Sequence, residues 1–318
     1  MVDTKYNNRF LYIDALRGFA ILLVIVGHLI QYNYKSGIEN PIFNVIYCFH
    51  MPLFFFISGI TLAVNKRKNN ISLFKFIGQR LKTLILPSIS WTLLVPLFFQ
   101  DKLMFNGAIS AFWFLNVLFF IHVVDEILTR CSESFGIIIK PILVILLASI
   151  CFLFDFKRIP IWYFVIFEIG YYYQFYRINN KLNGYIMSIM VLVFLLLCGY
   201  YEYGKTAAGN PERIWLMMPL SLLASLSFIY LFSYLPDKVN MWFGNIGRRT
   251  LAIYLCHFVF VSMPYIEILD VSFNPSFQFI ILLGIAFLIS YLCLGVQMLI
   301  GYFPLLNLLL YGKKEFSK

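Results

Sequence analysis

Ten stretches of about 20 mostly apolar residues follow one another along this chain, and that length is what a helix needs to cross a bilayer. They run approximately over 10–32, 42–64, 83–100, 108–128, 136–155, 160–178, 182–203, 212–234, 246–266 and 277–300. Backbone groups in hydrocarbon find no water, so such stretches satisfy their hydrogen bonds internally as helices. The expected fold is an all-α integral membrane protein with about ten transmembrane helices around a polar cavity. Composition agrees: 61% of the 318 residues are hydrophobic and 13% charged, against about 45–50% and about 25% in soluble domains. The third stretch is interrupted by Pro87 and Pro96, and the sixth by Glu168.

With ten spans, both termini lie on one side of the membrane. The loops on that side carry 18 of the 25 Lys and Arg residues, the opposite loops carry 6, and Arg17 lies inside the first span. Basic loops stay in the cytoplasm, so both termini are expected there. The formal net charge of +10 is thereby a topology signal rather than the footprint of a nucleic-acid partner. Six scattered cysteines mostly fall in apolar runs and read as small hydrophobes, with no disulfide frame or metal site. The longest polar interval, 65–82, reads as a short interfacial helix (ISLFKFIGQRLK) leading into the third span, which leaves no soluble domain. The first stretch reads as a span rather than a secretory signal, because it is long, contains Arg17 and lacks a small-residue cleavage pattern. No internal repeat or inverted symmetry is visible.

Ionisable residues stand out from this background, because a charge in hydrocarbon is costly and marks a functional candidate. Arg17 and His28 are eleven residues apart, close to three helical turns. They share one face of the first span, about 16 Å apart along the axis. Asp14 lies three residues before Arg17 and can pair with it. Arg17 alone would snorkel and His28 alone would pack; the shared stripe favours function. His50 is expected at a similar depth in the second span, beside Pro52, whose missing N–H a neighbour or water must offset. Ser58 and Gly59 read as small packing residues. Arg80 and Lys82 either bind an anionic cofactor or act as ordinary cytoplasmic charges. Trp113 reads as an outer-interface aromatic and His122 as structural. Arg248 and Arg249 mark the inner end of the ninth span and His257 its middle, so histidines of spans one, two and nine can converge on one cavity. Glu168 either pairs with an arginine in that cavity or marks a shorter span.

A neutral histidine can take a proton from a hydroxyl or carry an acyl group transiently. An arginine offers a fixed fork of donors to a phosphate or carboxylate. Together they point to group transfer from a phosphate-bearing donor. The rival reading is a non-enzymatic transporter or exporter of a lipid-linked sugar or small anion.

The Arg17–His28 spacing, LFFFISG at Leu53–Gly59, RLKTLILP at Arg80–Pro87, WFL at Trp113–Leu115 and GNIGRRTLAIYLCH at Gly244–His257 occur in that order. Together they resemble the landmarks of the integral-membrane acyltransferase-3 family, the bacterial O-acyltransferases that modify surface and exported glycans. The WFL form and the length are more similar to the stand-alone sugar O-acetyltransferase branch than to the peptidoglycan enzymes. Those often carry an extracytoplasmic hydrolase-like domain, for which this chain has no room. The resemblance implies a single transmembrane acyltransferase domain over 1–318 in the bacterial cytoplasmic membrane, multi-pass, with acetyl-CoA or another acyl-CoA bound from the cytoplasm. The acceptor would be a hydroxyl of an envelope or exported glycan, or of a lipid-linked sugar, and succinyl or a longer acyl group is the alternative to acetyl. His28 is implied as the catalytic histidine, with Arg17, Arg80 and Lys82 binding the donor. Lys82 stands where many relatives have a second arginine. Asp14, His50, Ser58, Trp113, His257 and Glu168 would support the site or line its cavity, and no metal is expected.

Overall fold

The computed structural model describes residues 4–34, 40–66, 71–98, 112–133, 139–153, 161–177, 185, 188–194, 214–261 and 275–313. Among the described residues the secondary structure is helical throughout, with no strand. In chain order the helices are α1 Thr4–Asn33, α2 Pro41–Lys66, α3 Leu73–Arg80, α4 Leu86–Phe98, α5 Trp113–Glu133 and α6 Ile139–Leu153. They continue with α7 Ile161–Arg177, α8 Ile214–Tyr234, α9 Asp237–Gly247, α10 Thr250–Val261, α11 Pro275–Gly301 and α12 Pro304–Tyr311. Three described segments are long and apolar enough to cross a bilayer: Leu11–Asn33, Pro41–Val64 and Ser276–Gly301. The protein is a membrane protein.

The first, second and tenth expected spans coincide with α1, α2 and α11 to within a few residues. Among the described residues of the fourth span, Trp113 opens α5. Residues 108–111, most of the seventh span and 262–266 of the ninth lie outside the described residues. Two helices occupy stretches that hydropathy leaves as connections: α9, before the ninth span, and α12, after the tenth. Both are short, and α9 contains Asp237, Lys238, Asn240 and Asn245. A bilayer-length hydropathy window passes over such segments.

The expected interfacial helix is α3. Ser72 caps it by accepting from the Lys75 N–H, Phe76 is buried and Phe74 is exposed. Between α3 and α4, Leu81–Ile85 forms a wide turn in which the Leu86 N–H donates to the Leu81 carbonyl, five residues back. Pro87 lies just beyond, and a proline ring clashes with the carbonyl four residues earlier. Widening the turn moves that carbonyl aside, so the proline is accommodated without ending the helix.

Packing divides the chain into two units, 1–54 with 181–299 and 55–180 with 300–318. In the first, α1 packs along α9 and also meets α8 and α10. Glycines set the α1–α9 distance: a Cβ on Gly18 would overlap the Phe243 carbonyl, and one on Gly247 the Asp14 carbonyl. Phe19 fills the next layer against Phe228, Phe232 and Phe243. In the second unit, Gly59 of α2 and Gly170 of α7 play the same reciprocal role, each against a backbone carbonyl of the other helix. There the Trp91 Nε1–H of α4 donates to the Leu310 carbonyl at 3.0 Å. Gly312, with φ 68°, ends α12 in the left-handed region against the Lys82 carbonyl.

Candidate functional site

In the first unit α1 carries His28, α2 carries His50 and α10 carries His257, and the three lie in one cluster. The His28 and His257 rings stack with centroids 5.4 Å apart at 27°. Tyr47, one turn before His50, lies 4.6 Å from the His50 ring and 6.3 Å from that of His28. Tyr32 and Phe258 complete the surround, at 5.7 and 4.9 Å from His28. One turn beyond His28, the Asn33 amide donates to the Leu29 carbonyl at 2.9 Å and to the Val261 carbonyl at 3.0 Å. That bridge ties the end of α1 to the end of α10 and holds the two stacked rings in register.

Each imidazole has its Nδ1 engaged. In His50 it lies 2.8 Å from the Ile46 carbonyl; in His257 it lies 2.6 Å from the Tyr254 carbonyl and 3.2 Å from that of Ile253. A carbonyl only accepts, so these Nδ1 atoms carry the proton and each neutral ring keeps its lone pair on Nε2. His28 differs in that its Nδ1 partners are side chains, Gln31 Oε1 at 3.1 Å and the Tyr47 hydroxyl at 3.3 Å. That hydroxyl donates to the same Gln31 oxygen at 2.7 Å. His50 and His257 are buried, whereas His28 is half-buried. Among the described residues no group of three His, Cys, Asp or Glu side chains is disposed to hold a metal ion.

Nearer the start of α1, the Arg17 Nη1 donates to Asp14 Oδ1 at 3.2 Å, with both side chains half-buried. The close α1–α9 approach brings a second guanidinium, that of Arg248, within electrostatic reach of Asp14. Both guanidinium groups act on the Asp14 carboxylate. Arg17 and His28 lie on one helix but far apart along it, as their spacing implies.

The remaining candidates lie in the second unit. Arg80 is half-buried, with its guanidinium 5.0 Å above the Phe76 ring and in the field of Glu126 and Asp125 on α5. Lys82 is half-buried in the wide turn after α3. Ser58 is half-buried beside Gly59, whose role is close helix packing. Trp113 is half-buried among Phe55, Phe114 and Tyr163, at 6.4, 6.3 and 5.4 Å. Glu168 pairs with a lysine rather than an arginine, Lys140 of α6, at 2.9 Å. Lys140 is one of the 18 basic residues that the ten-span topology puts on the cytoplasmic side, yet it is buried; it also pairs with Asp125 and sits 3.9 Å over the Tyr171 ring. His122 is buried 5.4 Å from Phe167.

Sequence reasoning passed over Gln31, Tyr47, Asp125 and Lys140. Gln31 and Tyr47 each lie three residues from a histidine, a same-face spacing that flags them once the histidines are singled out. Lys140 had no such signal, because it lies near a span end.

The family model described as an acyltransferase domain matches residues 10–295. The chain belongs to the acyltransferase-3 family. The matched stretch runs through both packing units, and membership decides between the transferase and the carrier in favour of the enzyme. Among characterised relatives, the nodulation protein NolL of Mesorhizobium japonicum is 26% identical over 331 aligned residues, covering 89% of this chain and 85% of that protein. The NolL of Sinorhizobium fredii is 29% identical over 153 residues, covering 43% of this chain and 40% of that protein. No solved structure matches the chain.

Proposed function

We propose that this acyltransferase moves an acetyl group from cytoplasmic acetyl-CoA to a hydroxyl of an envelope or exported glycan, or of a lipid-linked sugar. The observation that carries the reading is the histidine cluster of an acyltransferase-family chain, in which half-buried His28 has its Nδ1 hydrogen-bonded to Gln31. With the proton on Nδ1, the Nε2 lone pair takes the acceptor's hydroxyl proton as its oxygen attacks the thioester carbonyl. The carbon–sulfur bond then breaks, and the coenzyme A thiolate takes a proton as it leaves. The same lone pair can instead attack the thioester and carry the acetyl group to the acceptor in a second step.

Arg17 is assigned to the donor, held by Asp14 with Arg248 nearby. Arg80 and Lys82 are assigned to the phosphates of coenzyme A. Asp14, His50, Ser58, Trp113, His257 and Glu168 are assigned as supporting or cavity-lining residues. The reading includes a single transmembrane acyltransferase domain, about ten spans in the bacterial cytoplasmic membrane, both termini cytoplasmic, and no metal. The 18-to-6 distribution of basic residues supports that topology. It also orders the first helix, with Arg17 toward the cytoplasmic donor and His28 toward the external acceptor.

The test uses membranes of a strain lacking the protein, complemented with wild type or His28→Ala and supplied with radiolabelled acetyl-CoA. Wild type should place alkali-labile label on glycan, and His28→Ala should lower the rate roughly 10²–10⁴-fold. A His28→Ala protein that is folded and transfers at the wild-type rate overturns the assignment. Label trapped on wild-type protein but absent from His28→Ala would favour the two-step route.

A further inference from the structure

We propose that Gln31 is a positioning residue for this reaction, holding His28 in the tautomer whose Nε2 is the base, with Tyr47 holding Gln31 in turn. The inference rests on the reading of His28 as the reacting histidine.

Among the three clustered imidazoles, His28 differs from the other two in what holds its Nδ1. Backbone carbonyls hold Nδ1 in His50 and His257, so in those two rings the proton's place is set by the helix itself. In His28 a side-chain amide holds Nδ1, and an amide can present either its oxygen or its nitrogen. Presented as oxygen, Gln31 requires Nδ1–H and leaves Nε2 free to take a proton. Presented as nitrogen, it would put the imidazole proton on Nε2 and leave no base there. The Tyr47 hydroxyl lies 2.7 Å from Gln31 Oε1 and 3.3 Å from His28 Nδ1. Donating to Oε1, it stabilises the oxygen-presenting orientation, which His28 requires. Tyr47 is itself fixed: its ring stacks on Phe43 at 3.8 Å and on α1 it meets Gly27, where a Cβ would crowd it. The chain of contacts therefore runs from α2 through Tyr47 and Gln31 to His28.

The titratable groups around His28 are Tyr32 on α1, Tyr47 and His50 on α2, and Tyr254 and His257 on α10. Among the described residues no carboxylate or cation acts on it. A carboxylate introduced at position 31 would therefore place a charge against His28 where the described residues place none.

The test compares Gln31→Met, which keeps length and loses both polar atoms, with Gln31→Glu, which accepts through either oxygen. Both are assayed as full-length protein in membranes with radiolabelled acetyl-CoA. Gln31→Met should lower kcat roughly 10- to 100-fold with the KM for acetyl-CoA unchanged. Gln31→Glu should retain most of the rate. Its carboxylate holds a proton on His28 to higher pH, so the acid limb of the rate profile should move up by about one to two pH units. Wild-type kcat in Gln31→Met, or a loss in Gln31→Glu as deep as in Gln31→Met with no shifted limb, overturns the proposal. His28→Ala separates the two readings. If it is active, the catalytic assignment falls; if it is inactive while Gln31→Met is active, only the tautomer role falls. Thermal melts of both Gln31 variants in detergent establish that the protein assayed is folded.

Discussion

Arg17 shows how a single residue's neighbourhood separates charge from geometry. Its guanidinium donates to Asp14, and Arg248 shares that carboxylate's field. A lysine at position 17 would preserve the positive charge and lose the planar fork that grips a phosphate or carboxylate at two points. Arg17→Lys is therefore expected to raise the KM for acetyl-CoA roughly tenfold while changing kcat by less than about threefold. Initial-rate measurements over a range of acetyl-CoA check this, and an unchanged KM would remove Arg17 from the donor site. Most of the candidate residues could be named from spacing, because a titratable group in an apolar run is conspicuous. Which nitrogen of each histidine carries the proton could not. That depends on partners three or four residues away, and for His28 on a tyrosine of another helix.

At the scale of helices, α1 and α9 meet through glycines whose roles differ. A Cβ on Gly247 would overlap the Asp14 carbonyl, while one on Gly244 would make only ordinary contact with Leu11, 3.5 Å away. Gly247→Ala should force the helices apart and cost about 1–3 kcal/mol, and Gly244→Ala should be nearly neutral. Thermal unfolding in detergent compares the two; equal melting temperatures would mean the approach is not tight. The α5–α6–α7 group offers a second case. Lys140 bridges Asp125 and Glu168, one from each flanking helix, inside a buried site. Lys140→Met should remove the cation that those carboxylates share and destabilise by about 3–5 kcal/mol. Adding Asp125→Asn and Glu168→Gln to the same variant should recover most of the loss, because the buried charges are then gone. No recovery in the triple variant would show that Lys140 acts through its packing over Tyr171 instead.

For the whole molecule, the charge count makes a statement that no single helix can. Reporter fusions at the N- and C-termini should both report cytoplasm, and insertions beside Lys102 or Lys205 should report the opposite side. An N-terminus found outside would reverse the order of Arg17 and His28 along the donor-to-acceptor direction. The membrane helices themselves could be read from hydropathy because a bilayer imposes one length and one composition on anything that crosses it. The α9 and α12 helices escaped that reading because short helices carry no such length signature. Periodicity likewise could not show that spans one, two and nine meet. Contacts between distant segments depend on where side chains interlock, and in the first unit this is settled by Gly18 and Gly247 and by the Asn33 bridge to Val261. The chain's own order of residues thus determined that this is a helical membrane acyltransferase with an arginine and a histidine on one helical stripe. Only tertiary packing decided that His28 stacks on His257, that Tyr47 of another helix joins Gln31 at its Nδ1, and that Lys140 answers Glu168. The physical reason is range: helix formation and membrane partition act within one segment, whereas hydrogen bonds of about 3 Å demand that separate segments be placed against one another first.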